Sequence, residues 1–334
     1  MGANHSATDG RSLDRPVLTV LCGDSRPQGI AAIEQAAEVR YASADELPDA
    51  LRGADALFVW DFLSTAVRDA WPAADRLRWV HIASAGVDPV LFDELRESDV
   101  TLTNSRGVFD TSIAEYVLGV TLVFAKDFVR SFGLQQVGRW QHRETERVSG
   151  KHALVVGTGP IGRAVAGMLR AAGMRVSGVG RRARDNDPDF GTVHASGELA
   201  DHIGSADYVV AVAPLTEQTK GMFDKSAFAA MRPSARFINV GRGELAVTND
   251  LVDALRTGRL AGAALDVFET EPLPPDSPLW TMPNVVISPH MSGDFIGWRD
   301  VLVEVFVRNF QLWNAGEPLL NVVDKQLGYV PTNT

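Results

Sequence analysis

The sequence predicts an α/β protein with two doubly wound domains, each built on a parallel sheet covered by helices on both faces. Two observations favour this architecture. Short apolar runs alternate with helical segments along most of the chain, a pattern typical of parallel sheets. A glycine-rich turn follows one such run near the middle of the 334 residues, so a whole domain's length of sequence precedes it.

The composition is that of a soluble globular protein, with 45% hydrophobic and 22% charged residues. A net charge of −10 disfavours nucleic-acid and anionic-membrane partners, because both require a basic surface. The single Cys22 excludes an internal disulfide and a cysteine metal cluster and fits the reducing cytoplasm. The polar residues 1–15 predict an extension and not a signal peptide. We therefore expect a cytoplasmic protein, and we predict no metal ligand.

The first domain is predicted to begin with residues 1–106. Its turn at residues 83–88 contains Ala85 and Gly86, whose backbone N–H groups could hold a carboxylate. A tight turn before Pro89 that binds nothing explains the same residues equally well. The expected strands are residues 17–22, 55–60 and 78–82, with helices over residues 30–37 and 45–51.

A long helix and an arm come next. Thr111 or Ser112 is expected to cap a helix whose apolar face continues to Phe124. The arm, at about residues 128–148, is polar and aromatic and contains Trp140. Because such an arm outside a sheet commonly packs on a second subunit, we predict a homodimer. A surface excursion without a partner is the alternative.

The second domain is predicted over residues 107–297. Gly173 and Gly258 are expected to end helices and Thr248 to begin one. A final helix over residues 298–313 returns the chain to the first domain, which then comprises residues 1–106 and 298–334 with the second domain inserted. Six strands with intervening helices indicate a dinucleotide-binding domain; they are residues 153–157, 174–179, 208–213, 236–240, 262–268 and 285–288.

The glycine turn has the spacing Gly-x-Gly-x-x-Gly between a strand and a helix. Gly157 permits a sharp turn, Gly159 permits a pyrophosphate to approach the backbone, and Gly162 permits close packing of the helix on the strand. The helix N-terminus offers amide donors and the positive end of its dipole. Pro160 has no N–H but suits the first helical position. Ile161 is therefore expected to supply more of the phosphate contact.

The cofactor choice depends on the end of the second strand of this domain. NAD-binding domains usually have Asp or Glu there, whereas this chain has Gly180 followed by Arg181, Arg182 and Arg184. Guanidinium groups can hold a 2′-phosphate through paired hydrogen bonds. We predict a preference for NADPH, with NAD possible; a solvated basic loop is the alternative interpretation.

Three charged residues follow late strands of the same domain, namely Arg242, Glu271 and His290. Singly, each has a structural explanation, since a loop histidine is commonly exposed and a Glu before proline commonly lies at the surface. Together they suit reduction of a 2-keto acid, which needs a cation for the carboxylate, an acid for the carbonyl oxygen and a carboxylate that orients the acid. A neighbouring Glu also favours the imidazolium form of histidine.

These motifs resemble the D-isomer-specific 2-hydroxyacid dehydrogenase family from about residue 17 to residue 329. The resemblance rests on Gly-Arg-Gly around Arg242, a Glu-Pro nineteen residues ahead of the histidine, and Ser-Pro-His ending at His290. It implies a Rossmann NAD(P)-binding domain inserted into a flavodoxin-like substrate domain. It also implies that Arg242 binds substrate, that His290 is the general acid/base and that Glu271 pairs with it.

The resemblance carries further implications. The amides of Ala85 and Gly86 would hold the substrate carboxylate, Asp266 would contact the nicotinamide carboxamide, and the arm around Trp140 would build a homodimer. Formate dehydrogenases of this superfamily have Gln in place of Glu271, which disfavours formate. The NADP-like strand end favours the glyoxylate and hydroxypyruvate reductase branch. Other implied cofactor contacts are Ala213, Pro214, Thr219 and Val240.

Two competing functions remain open to test. The same fold serves as a cofactor-sensing, corepressor-like binding protein, which would change its assembly with nucleotide and turn over no keto acid. An L-lactate or malate type of dehydrogenase also uses Arg, His and a carboxylate. In that type the glycine motif lies near the N-terminus, whereas here a domain precedes it, and product chirality would discriminate the two.

Overall fold

The computed structural model describes residues 15–23 and 25–331. The predicted N-terminal extension therefore lies outside the described residues, except for Arg15. Among the described residues there are thirteen strands: β1 (Val17–Leu21), β2 (Glu38–Ala42), β3 (Ala56–Val59), β4 (Trp79–Ile82), β5 (Thr101–Asn104), β6 (His152–Val156), β7 (Arg175–Gly180), β8 (Arg184–Asp187), β9 (Gly191–Ala195), β10 (Tyr208–Ala211), β11 (Arg236–Asn239), β12 (Gly262–Leu265) and β13 (Val285–Ile287).

Eleven α-helices accompany these strands in the same described ranges. No helix there is both long and apolar enough to cross a bilayer. The helices are α1 (Ala31–Ala36), α2 (Leu47–Leu51), α3 (Ala66–Ala70), α4 (Asp93–Glu97), α5 (Asp110–Ala125), α6 (Phe128–Gln136), α7 (Pro160–Ala171), α8 (Leu199–Ile203), α9 (Lys225–Ala230), α10 (Thr248–Arg256) and α11 (Trp298–Ala315).

The chain divides into two compact units. The first contains the described residues up to Ser105 together with Arg299–Lys325, and the second contains Arg106–Trp298 and the chain from Gln326. The predicted boundary assigns residues 298–334 to the first domain, and by contacts the chain from Gln326 groups with the second unit. The physical reason is Arg106, whose Nη1 donates hydrogen bonds to the carbonyls of Val330 and Pro331.

The first unit is built on a five-stranded parallel sheet in the order β2-β1-β3-β4-β5. This is the flavodoxin-like order, as predicted. Helix α11 packs on the sheet through Phe306, whose ring stacks on Phe58 with centroids 3.8 Å apart. His81 lies fully buried in the same core, hydrogen-bonded to Thr103. Burial lowers the pKa of His81 to about 3, so this histidine is a neutral core residue.

The second unit is built on an eight-stranded sheet in the order β13-β12-β11-β10-β6-β7-β9-β8. All neighbouring strands are parallel except the antiparallel pair β8 and β9. Strand β6 lies where the chain order reverses, and in such sheets the ligand crevice lies at the carboxyl ends of the strands at that point. The predicted Rossmann fold is confirmed.

The strands that sequence reasoning missed are polar. β2, β5, β8 and β9 have the sequences EVRYA, TLTN, RDND and GTVHA, so they lack the apolar runs that predicted the others. Strand β5 is nevertheless buried, because Thr103 accepts a hydrogen bond from Trp79 Nε1 at 2.8 Å. Hydrogen bonding within the sheet can thus replace an apolar side chain at a buried position.

The helix-end predictions had mixed outcomes. Gly173 and Gly258 follow α7 and α10 with φ of +83° and +68°, so their predicted role is confirmed. The predicted caps were wrong. Thr248 is the first residue of α10, and its backbone N–H donates to Glu269 Oε2 at 3.2 Å. Neither Thr111 nor Ser112 caps α5, which begins at Asp110, and Ser112 Oγ donates instead to the Ser292 carbonyl.

Candidate active site

The glycine turn after β6 is held in a conformation that requires glycine at two positions. Gly157 has φ +119°, and a Cβ there would lie 2.6 Å from the backbone nitrogen of Ala213. A Cβ on Gly162 would lie 1.9 Å from the Gly157 carbonyl oxygen. Gly159 differs, because a Cβ on it would meet no atom within 4 Å. The turn is therefore tightly packed on the protein side and open above Gly159.

The open space above Gly159 lies at the N-terminus of α7. Gly159 is the residue before the helix and Pro160 is its first residue, as predicted. The next amides, beginning with Ile161, belong to the first turn and have no carbonyl partner within the helix. Space, amide donors and the positive end of the helix dipole together fit a pyrophosphate group.

The end of β7 carries the residues predicted to read the cofactor's ribose. Gly180 abuts the glycine turn, since a Cβ on it would lie 2.7 Å from Thr158 Oγ1. Arg181 and Arg182 are exposed, and the Arg181 guanidinium lies over the ring of Tyr329, 5.8 Å from its centroid. Arg184 is engaged elsewhere, because its Nε donates to Asp187 Oδ2 at 2.7 Å. Two arginines at this strand end thus present their charge to solvent.

The segment after β10 forms a loop that is closed by its own hydrogen bonds. Ala213 is buried beside Gly157. Thr219 Oγ1 donates to the Pro214 carbonyl at 2.7 Å and accepts from the Thr216 amide at 2.8 Å. The Thr219 hydroxyl therefore closes the loop. Val240, after β11, is buried, and its amide donates to the Ala211 carbonyl.

His290 and Glu271 form a pair. His290 Nδ1 lies 2.7 Å from Glu271 Oε2, and the two side chains are 30% and 29% exposed. Glu271 Oε1 accepts a second hydrogen bond from the Phe268 amide at 2.9 Å. Burial opposes ionisation of Glu271, but the hydrogen bonds from His290 and Phe268 outweigh it and lower the pKa of this carboxyl below its usual value. The histidine is thus oriented by an ionised carboxylate.

Asp266 holds the loop that carries His290. This carboxylate is fully buried and accepts hydrogen bonds from Ser288 Oγ at 2.5 Å and from the amides of Met291 and Ser292 at 2.9 Å each. Its backbone carbonyl accepts the His290 amide at 2.7 Å. The described contacts of Asp266 therefore fix the His290 loop, a role that the sequence did not predict.

Tyr116 extends this network from helix α5. Its hydroxyl lies 2.6 Å from Ser288 Oγ. Sequence reasoning quoted Ser288 as part of Ser-Pro-His but assigned it no role, and it did not single out Tyr116 as a site residue. The serine stands two residues before His290, which was an available signal. Tyr116 is 172 residues from Ser288, and no local pattern links them.

Arg242 follows β11 and is half-buried. Its Nη1 donates to the Gly241 carbonyl at 2.9 Å, and its own carbonyl accepts from Asn239 Nδ2 at 2.9 Å. Its positive charge contributes to the lowered pKa of Glu271. Next to it, a Cβ on Gly243 would lie 1.9 Å from the Phe268 carbonyl carbon. The structure therefore brings Arg242, Glu271 and His290 together at the carboxyl ends of β11, β12 and β13.

Ala85 and Gly86 lie in the first unit, after β4. The Ala85 carbonyl accepts from Asn104 Nδ2 and the Gly86 carbonyl from Ser84 Oγ, both at 2.6 Å. Their amides have no hydrogen-bond partner among the described residues. The turn thus fixes its acceptors internally and leaves two successive donors, the arrangement that binds an anion.

Comparison with known proteins identifies the family of the chain. A family model described as D-isomer specific 2-hydroxyacid dehydrogenase, NAD binding domain, matches residues 118–292. A glyoxylate reductase from Thermococcus kodakarensis is 30% identical over 269 residues, 78% of this chain and 80% of the relative.

Solved structures give the same result. A D-isomer specific 2-hydroxyacid dehydrogenase family protein from Aeromonas salmonicida is 34% identical, with a TM-score of 0.77 over 93% of this chain and 99% of its own. An NADPH-dependent glyoxylate/hydroxypyruvate reductase from Sinorhizobium meliloti, in complex with NADP and sulfate, is 30% identical, with a TM-score of 0.79 over 94% of this chain and 99% of its own. This chain, with a domain fitted to a nicotinamide cofactor, belongs to the D-isomer specific 2-hydroxyacid dehydrogenase family.

Proposed function

We propose that this protein reduces a 2-keto acid to the D-2-hydroxy acid with NADPH. The observation that carries the proposal is the 2.7 Å pair of His290 and Glu271 on the same sheet edge as Arg242. An acid, its orienting carboxylate and a cation for the substrate are the three parts that this reduction needs.

Each residue has a defined task. The nicotinamide, when bound, supplies a hydride to the keto carbon. His290 donates a proton to the carbonyl oxygen from Nε2, because Nδ1 is committed to Glu271. Arg242 binds the substrate carboxylate and the oxygen that gains charge. The amides of Ala85 and Gly86, in the first unit, are assigned to carboxylate binding. One keto acid, one hydride and one proton give one hydroxy acid, and the reverse reaction returns the proton to His290.

The cofactor assignment to NADPH is supported by the end of β7. Gly180 leaves no carboxylate to repel a 2′-phosphate, and Arg181 and Arg182 are exposed there. The pyrophosphate is assigned to Gly157, Gly159 and Gly162 with the first amides of α7, and further cofactor contacts to Ala213, Pro214, Thr219, Val240 and Asp266. The Sinorhizobium meliloti structure was solved with NADP.

The substrate class is proposed to be glyoxylate, hydroxypyruvate or a related 2-keto acid. Relatives named glyoxylate reductase and glyoxylate/hydroxypyruvate reductase support this class. The corepressor-like alternative gains no support from these relatives, and the paired His290 and Glu271 are what a reductase needs. The L-specific alternative would require the opposite product chirality.

The first experiment follows loss of NADPH absorbance with glyoxylate, hydroxypyruvate, pyruvate and phenylpyruvate, and repeats each assay with NADH. We expect turnover with a higher kcat/KM for NADPH, and chiral chromatography should find the D alcohol. A higher kcat/KM with NADH would refute the cofactor assignment. Folded protein that binds nucleotide but reduces none of these acids would refute the reductase proposal.

We further propose a homodimer joined through the arm at about residues 128–148. Helix α6 has no buried residue, and the arm exposes Phe132, Val137 and Trp140, the last with 98% of its surface accessible. Several large apolar side chains exposed close together in the chain are typical of a surface that binds a partner. Light scattering should give twice the chain mass, and Trp140→Ala should shift it toward the monomer; a monomeric native chain would refute the proposal.

Two assignments complete the proposal. The cofactor domain is residues 107–297, and the substrate domain is formed by residues 1–106 and 298–334. The cytoplasm is the proposed compartment, because the one cysteine, Cys22, is buried and unpaired by any disulfide. Cell fractionation would test the compartment directly.

A further inference from the structure

A second group of ligand-type side chains lies in the second unit, apart from the residues assigned to the reaction. It comprises His194 at the end of β9, Glu198 in the turn that follows, and His202 in α8. One ligand atom from each residue lies within 4.8 Å of the other two. Sequence analysis predicted no metal ligand, because the three residues come together only when the chain turns from strand to helix.

The fold explains this convergence. His194 is paired with Val179 across β9 and β7, so both side chains point to the same face of the sheet. Val179 belongs to the core cluster that also contains Leu199 and Ile203 of α8. His194 therefore points to the face that α8 covers. The His194 and His202 rings stack there with centroids 3.4 Å apart and planes at 13°.

Glu198 is held in place beside the two rings. Its Oε2 accepts a hydrogen bond from the Ala195 amide at 3.2 Å, which ties the carboxylate to the turn. The imidazole nitrogens of His194 and His202 have no hydrogen-bond partner within the part of the chain that the structure describes. Both rings are only half-buried, so their side chains can rotate out of the stack and aim one nitrogen of each at a common point.

We propose that His194, Glu198 and His202 bind one transition-metal ion of the zinc type. Two imidazole nitrogens and one carboxylate oxygen form a donor set that suits Zn²⁺, with water as the fourth ligand. Bonds of about 2.0–2.2 Å place neighbouring ligand atoms roughly 3–4 Å apart, and the three ligand atoms here all lie within 4.8 Å of one another. Magnesium and calcium prefer all-oxygen sites and are disfavoured.

The ion would join β9 to α8 and act on stability. None of its ligands belongs to the glycine turn, the β7 arginines or the Arg242, Glu271 and His290 group. Because the site is formed only in the folded chain, binding stabilises the native state by mass action. This inference is independent of the proposed reductase activity.

Isothermal titration with Zn²⁺ on the purified, metal-stripped full chain tests the site. We expect one ion per chain, and binding at least about tenfold weaker in His194→Gln and in His202→Gln. His142→Gln is the matched control, since it removes an exposed histidine elsewhere in the same unit and should bind like the native chain. Glu198→Gln keeps an acceptor for the Ala195 amide and removes the charge, so it should also weaken binding.

Thermal unfolding supplies the second measurement. Saturating Zn²⁺ should raise Tm of the native chain by about 2–4 °C or more and leave Tm of His202→Gln unchanged. Circular dichroism of the metal-free variants must match the native spectrum. Absence of stoichiometric Zn²⁺ binding, equal binding by both histidine variants and the native chain, or Ca²⁺ binding as tight as Zn²⁺ binding would overturn the proposal.

Discussion

Two sets of strand ends in the eight-stranded sheet, those of β11–β13 and that of β7, present charge in opposite ways. At the β11–β13 end, Asp266 is buried under three hydrogen bonds and Glu271 accepts two, one of them from the His290 side chain. At the β7 end, Arg181 and Arg182 stand exposed. Proton transfer requires fixed distances, whereas attraction of a phosphate tolerates mobile cations. The comparison predicts large effects of substitution at the first end and small effects at the second.

Replacement of His290 should have the greatest effect. His290→Gln removes the proposed proton donor, and we expect kcat for keto-acid reduction to fall roughly 10²–10⁴-fold. NADPH affinity should stay near that of the native enzyme, because this side chain acts on the transition state. Single-turnover kinetics and a fluorescence titration of NADPH separate the two effects. Native kcat/KM in this variant would remove His290 from the mechanism.

Glu271 should come next and should show a pH dependence. Its lowered pKa keeps the carboxylate ionised through the neutral range and down past the ordinary Glu value of 4.5. Its contribution is therefore present above pH 4.5 and is lost as pH falls through the lowered value. We expect Glu271→Gln to lower kcat by roughly 10²-fold at pH 7 and to lack this acid limb. Unchanged profiles from pH 4 to 8 would show that the pair is structural.

The glycine turn lies between the two ends and offers a matched pair of variants. Gly162→Ala places a methyl 1.9 Å from a backbone oxygen, so we expect a loss of about 3 kcal/mol or more in stability. Gly159→Ala enters open space and should keep the native Tm while raising Kd for NADPH roughly tenfold, since the methyl occupies the proposed pyrophosphate space. Calorimetry and nucleotide titration measure both, and equal Tm losses would contradict the packing described.

The arginines should show the smallest effect. Arg181→Ala with Arg182→Ala removes exposed charges, so we expect KM for NADPH to rise about 5–10-fold and KM for NADH to stay unchanged. Arg184→Ala is the control, because that side chain is bound to Asp187 and should not alter the ratio of the two KM values. A rise in KM for both nucleotides would mean that the arginines support the loop and do not select the phosphate.

Features whose interacting residues lie close together in the chain could be predicted from the sequence, whereas contacts between distant residues could not. The glycine turn and the strand ends carrying Arg242 and His290 were predictable, because the residues of each motif are close in the chain. Asp266 was assigned to the cofactor, and its three donors appeared only in the structure. The presence of a histidine did not by itself indicate its role. His81 lies in a core and His290 lies beside a carboxylate, and only the motif around His290 distinguished the two in the sequence. The polar strand β5 was missed for the same reason, since its buried Thr103 is satisfied by Trp79, 24 residues away in the chain.

The packing at Gly243 limits how far two backbone segments of the candidate site can move toward each other. The backbone after Arg242 and the backbone at Phe268, which donates to Glu271, meet with no room for even a methyl group. Arg242, the proposed substrate-binding cation, and Glu271, the proposed partner of the proton donor, thus follow main chains in direct contact, and these main chains cannot move closer by repacking of side chains. The separation of the two main chains is set by backbone thickness, the least adjustable dimension a protein has.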